Sequence, residues 1–145
     1  MASRFAPGLA AGCLAALLLA GCGPTLDDES HIEQTIDEMT EALERGNVSD
    51  FMAPIADDFM TANGRMDRRA LGLLVRRERL ARDAIQVRRL DTRIEIIGET
   101  RAIASFRALA TGGSGLLPDE GRFWTVETGW RREGSEWALI SAEWR

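Results

Sequence analysis

Arg122-Phe-Trp-Thr-Val-Glu-Thr-Gly-Trp130, Arg131-Arg-Glu-Gly-Ser-Glu136 and Trp137-Ala-Leu-Ile-Ser-Ala-Glu-Trp144-Arg145 close the chain and hold all four of its tryptophans. Two β-rich runs flank a polar turn at Gly134, the pattern of a hairpin. Trp124, Val126, Thr128 and Trp130 share one face of the first run. Phe123, Thr125 and Glu127 share the other. Both faces carry aromatics, so alternation alone does not say which one turns inward. Either way, a hairpin this apolar needs a cover, and the preceding chain supplies it.

The chain has 145 residues, 45% of them hydrophobic and 28% charged. That is the length and balance of one globular domain with one core. A nucleic-acid-binding domain is expected to be basic, whereas this chain carries a net charge of −5. The first residues read as an address. Arg4 is followed by an apolar run, Leu9–Leu19, too short to span a bilayer and of the length of a secretory core. It ends in Leu19-Ala20-Gly21-Cys22, which resembles the bacterial lipobox, whose cysteine takes a diacylglycerol and becomes the new N-terminus. Residues 1–21 are then a lipoprotein signal peptide, 22–29 the lipidated Cys22 and its tether, and 30–145 the folded domain. Gly23 after Cys22, in place of Asp, resembles the sorting pattern of an outer-membrane lipoprotein facing the periplasm. The remaining cysteine, Cys13, leaves with the signal, so the mature domain has no disulfide and no thiol ligand.

Ile32, Ile36, Met39 and Leu43 recur at helical spacing, and Ser30 with Glu33 forms a capping-box pattern, so a first helix is predicted over 30–45 and stopped by Gly46-Asn47. A short second helix is predicted from Asp50, capped by Ser49, to about Asp58, with Pro54 in its first turn or so. A third follows Asp67 and runs to about Arg82. From Ala84 the period becomes two: Ile85–Arg89, Arg93–Ile97 and Ala102–Thr111 read as strands, the last with small residues suited to a curved sheet. Thr111–Gly121 is the longest loop, and Leu116-Leu117 in it could close over something. Helices first and strands after indicate an α+β domain, not alternating βαβ units.

This order, with Ile36–Met60, the helix after Asn63-Gly64, and the hairpin Trp130–Ile140, resembles the nuclear transport factor two-like superfamily, which includes SnoaL-like and ketosteroid-isomerase-like proteins. The resemblance implies N-terminal helices packed on a strongly curved antiparallel sheet, a cone-like barrel with a pocket at its open end, and homodimers formed through the outer sheet face. It implies no single activity, because this fold carries enzymes and binding modules alike.

His31, the only histidine, has no partner at close spacing and reads as solvated. Asp57-Asp58 is placed near the cone mouth. Asp58 is a candidate base, although the absence of tyrosine removes a usual phenolic donor; the plainer reading is a solvated turn. Glu127, Arg107 and Glu95 either point into the cone, where Glu127 is a second candidate base, or pair across strands outside it. Phe106, Arg107, Trp124, Val126, Glu127 and Trp130 are the candidates for lining a ligand pocket or an interface. No metal site and no cofactor are expected. Charge is segregated: 11 acidic residues and one arginine lie in 27–58, against ten arginines and four acids in 65–93. Either the basic third helix meets anionic headgroups or a polyanion, or it lies beside the acidic first helix and the two neutralise each other; the second account is preferred. The leading expectation is a lipid-anchored periplasmic domain that binds a small apolar or amphipathic ligand or a protein partner without catalysis. The alternatives are a SnoaL-like isomerase, cyclase or dehydratase with a pocket carboxylate as base, and a structural accessory lipoprotein of an envelope assembly.

Overall fold

The computed structural model describes residues 27–113 and 121–145. The stretch read from sequence as a signal peptide and lipobox, with Cys22, and the pair Leu116-Leu117 lie outside them. Helix α1 spans Asp28–Arg45. Its cap is Asp27, one turn earlier than the Ser30 box predicted: the Asp27 carboxylate accepts from the Ser30 amide at 2.7 Å, satisfying one orphan donor of the first turn. At the far end Gly46 sits at φ 77°, the left-handed cap that glycine adopts without a Cβ penalty.

The second predicted helix stops early. Helix α2 covers only Val48–Met52, capped by Asn47 and not Ser49. Ala53 still holds helical geometry, but Pro54 has no amide to continue the helical ladder, and Ile55–Thr61 forms strand β1 instead. Helix α3 spans Arg68–Ala81 behind Asp67, whose side chain accepts from the Ala70 amide, as predicted.

The rest is sheet. Strand β2 runs over Ala84–Ile97, β3 over Arg101–Gly113, β4 over Arg122–Glu133 and β5 over Glu136–Trp144. The two runs predicted at 85–89 and 93–97 are one strand, bent where its register with β3 slips between Leu90 and Arg93. Asp91 at φ 56° marks this bulge, and bulges add bend and twist. Sheet order is β1-β5-β4-β3-β2. Four strands pair antiparallel as expected, but β1 pairs parallel with β5. The sheet is therefore mixed and open.

The hairpin's inward face is now defined. Trp130 is buried at 1% exposure and Thr128 at 7%, while Phe123 is 54% exposed. Trp130, Trp137, Leu139, Ala102 and Ala104 cluster with Ile32, Ile36 and Met39 of α1, Phe59 of β1, and Leu71 and Val75 of α3. The alanines of β3 leave room for helix side chains, and the tryptophans fill it. Burying an aromatic of this size contributes about 1.5–3 kcal/mol. Among the described residues, every member of the core cluster lies between Ile32 and Ala142.

Candidate functional site

Rows of inward side chains run across the sheet. At one end Ala102 pairs with Trp130, and Trp130 with Leu139; next, Ala104 pairs with Thr128, and Thr128 with Ala142. All six are buried. This end is closed, and a polar chain locks it: the Trp130 indole Nε1 donates to Thr128 Oγ1 at 2.9 Å, and that hydroxyl donates to the Ala104 carbonyl at 3.0 Å. Toward the other end Phe106 pairs with Val126, Val126 with Trp144, and Ala108 with Trp124. Phe106, Trp124, Val126 and Trp144 are only half-buried. The core thus gives way to an aromatic wall that is partly open.

Two arginines meet this wall. The Arg122 guanidinium lies over the Trp124 ring at 4.7 Å, and that of Arg89 over Phe106 at 5.8 Å, both at cation–π range. Arg89 also reaches Asp37 of α1 at 2.6 Å, and its Nη1 is buried with no hydrogen-bond partner. Glu33 and Asp37 of α1 therefore turn to a strand arginine, not to α3. Helix α1 packs on β2 and α2, and α3 on β1 and α2. The side-by-side neutralisation predicted for the two helices is not how they are arranged; they meet where Arg79 comes against Gly46.

The predicted acid–base candidates lie elsewhere. Glu127 pairs in register with Ser105 and Glu143, and Arg107 with Thr125 and Leu90, all on the outer face. There Arg107 reaches Asp91 at 3.3 Å and stacks over Phe123 at 5.3 Å. Glu95, opposite Ile103, shares that face. Asp58 sits on β1, not at a helix end, and receives two hydrogen bonds from Arg131, at 2.8 and 3.0 Å. The guanidinium holds its carboxyl below the ordinary carboxylate range. A carboxylate so stabilised is a poor proton acceptor. Asp57 is exposed with Arg68 3.9 Å away. His31, read from sequence as unpartnered, lies 3.1 Å from Glu136, a contact across the fold that no local spacing reveals.

That pair borders a groove of about 1290 Å³, whose walls include Thr35, Glu38, Pro54, Arg68 and Trp137. Arg68 in that wall donates to the backbone carbonyls of Ile55 and Met52. Among the described residues no group of three or more His, Cys, Asp or Glu is placed to hold a metal ion. Sequence reasoning missed Arg89 and Trp144 as wall residues. The inward turn of Trp144 follows from the register shift that changes the parity of β5 between Leu139 and Ala142, and that of Arg89 from its strand's register with β3.

Helices on one face of a curved, open mixed sheet define the class, and comparison with solved structures gives it a name. The chain has the nuclear transport factor two-like (NTF2-like) fold. It is similar to an NTF2-like protein of unknown function from Pseudomonas putida, at 22% identity and a TM-score of 0.66, over 80% of this chain and 84% of that one. A member of the NTF2-like family from Streptomyces avermitilis, provisionally named a dehydratase, is 17% identical, with a TM-score of 0.68 over 81% of this chain and 94% of that one. A Bdellovibrio bacteriovorus protein matches 79% of this chain at a TM-score of 0.66 and 9% identity, and this chain spans 39% of its length. No protein-family model matches the chain, and no curated protein does.

Proposed function

We propose that this domain binds a small amphipathic ligand at the half-open aromatic wall, without catalysis, while anchored to the bacterial envelope through lipid on Cys22. One observation carries the reading. The inward rows pass from fully buried to half-exposed at Phe106, Val126, Trp124 and Trp144. Ligand sites are mostly apolar with a few placed polar groups. Here the polar groups are Arg89 and Arg122, which favour a ligand with an anionic head. The convex face, where Leu90, Ile97 and Phe123 are exposed, is where a second copy would dock.

Native mass spectrometry of residues 23–145 titrated with laurate, read together with tryptophan emission, tests the binding. A saturable one-to-one complex, weakened by Phe106→Ala and weaker for dodecanol, is the expected result. Failure of both laurate and dodecanol to saturate the domain overturns the reading. The anchor is tested separately: Cys22→Ser should abolish incorporation of labelled palmitate in a bacterial host.

The dehydratase name borne by the Streptomyces protein favours a second reading, a SnoaL-like isomerase, cyclase or dehydratase. Asp58 and Glu127 were its candidate bases, and both lie away from the aromatic wall. Asp58→Asn and Glu127→Gln, assayed on activated ketones, address it; turnover surviving both removes them from any mechanism.

A further inference from the structure

Helix α3 carries a stripe that no core contact among the described residues uses. Arg69, Leu73, Arg76 and Leu80 follow one another at intervals of four, three and four, which places them on one face. The arginines are exposed, and the leucines are 56% and 90% exposed. Arg77 flanks the stripe and is held by Glu78. Among the described residues Arg69 and Arg76 have no ion-pair partner, and the stripe itself contains no acid. A cleft of about 700 Å³ between α2 and α3 opens beside it, with Arg69, Leu73 and Arg76 in its wall next to Met52 and Gly72. The ion-paired acids of α1 point elsewhere: Glu33 and Asp37 to Arg89, Glu41 to Arg45 and Asp28 to Arg132.

We propose that this face of α3 docks on an anionic lipid bilayer, the arginines meeting headgroup phosphates and Leu73 and Leu80 entering the headgroup boundary. Isolated exposed leucines need no explanation. Leucines interleaved with unpaired arginines on one exposed helix face suit a headgroup boundary, where apolar side chains can enter while the arginine stems snorkel and keep their guanidiniums at the phosphates. Charge complementarity selects the occupant, since juxtamembrane arginines gain from the negative surface potential of anionic lipid. Chain length keeps the bilayer within reach. Asp27 lies five residues beyond Cys22, about 18 Å at full extension. Helix α1 adds about 27 Å over its 18 residues, and its far end touches Arg79 of α3. A tether this short gives an effective concentration in the millimolar range, so a weak face suffices. The reach argument rests on the Cys22 anchor proposed above; the charge and leucine pattern does not.

Residues 23–145, without lipid, should co-sediment with vesicles of equal phosphatidylglycerol and phosphatidylcholine, more weakly in high salt, and not with phosphatidylcholine alone. Arg69→Gln with Arg76→Gln should lower partitioning about 25-fold, at about fivefold per arginine. Leu73→Ser with Leu80→Ser should lower it as well. Arg88→Gln with Arg93→Gln, on exposed positions of β2, makes the same change in net charge and should leave it within about twofold. Equal loss in this control, or no co-sedimentation, overturns the proposal. Undiminished binding after the leucine changes, with displacement by heparin, would identify a soluble polyanion as the occupant and overturn it too. These arms use unlipidated protein, so they fail or succeed independently of palmitate labelling at Cys22.

Discussion

Thr128→Val should destabilise the domain out of proportion to its size. Valine fills the same volume but cannot accept the indole proton of Trp130, which is 1% exposed and donates to Thr128 Oγ1 at 2.9 Å. The Ala104 carbonyl loses its 3.0 Å partner in the same step. A buried donor left unpaired costs about 1–3 kcal/mol, so a loss of about 2 kcal/mol is expected. For a domain of this length that corresponds to roughly 8 °C in Tm. Urea unfolding followed by tryptophan emission should show a lower midpoint at unchanged slope. The decisive comparison is a double-mutant cycle with Trp130→Phe, which removes the donor. In the phenylalanine background Thr128→Val should cost less than half as much. Equal costs in the two backgrounds would refute the claim that this hydrogen bond locks the closed end of the sheet.

Gly46→Ala should cost about 1–2 kcal/mol, because φ 77° disfavours any Cβ and the new atom would lie 2.7 Å from Arg79 Nη2; Arg79→Ala should relieve only the contact part, as thermal melts of the pair would show. Gly129→Ala drives a Cβ into Ser141 Oγ, an overpacking of about 1–2 kcal/mol that Ser141→Ala should largely recover in chemical denaturation. Asp58, whose folded pKa is lowered by Arg131, contributes stability that is present above its ordinary value of 3.8 and lost as pH falls through the folded value. Melting temperatures measured from pH 6 down to pH 2 should therefore fall less in Asp58→Asn than in the wild-type chain.

Periodicity and caps made α1 and α3 legible, because helical spacing and an Asp or Gly terminus are local signals. Strand β1 was not. Ile55, Ala56, Phe59 and Met60 fit a helical face as well as a strand, and the partner that decides, β5, lies more than 80 residues on. That one error moved Asp58 from a supposed cone mouth to the outside of the sheet beside Arg131. The inward face of the hairpin was equally closed to local reasoning, since Phe123 and Trp124 both look like core. Burial decided it through pairing with Ala102 and Ala104. Half-buried Phe106, Trp124 and Val126 were picked out by type and parity alone. Arg89 was not, because a charged residue on an inward face is a decision of tertiary packing.

The longest strand of this sheet, β2, is also its edge. A bare edge of 14 residues would be a template for stacking chain on chain into fibrils. Three features blunt it. The left-handed Asp91 breaks the ladder between Leu90 and Arg93. Arg88 and Arg93 place like charges along the strand, so an incoming copy meets repulsion. Glu44 of α1 accepts from the Val87 amide at 2.8 Å, stopping one hydrogen-bonding socket with a carboxylate. The helix that covers the core thus also guards against polymerisation, and solubility at high concentration should depend on Glu44 more than its exposed position implies.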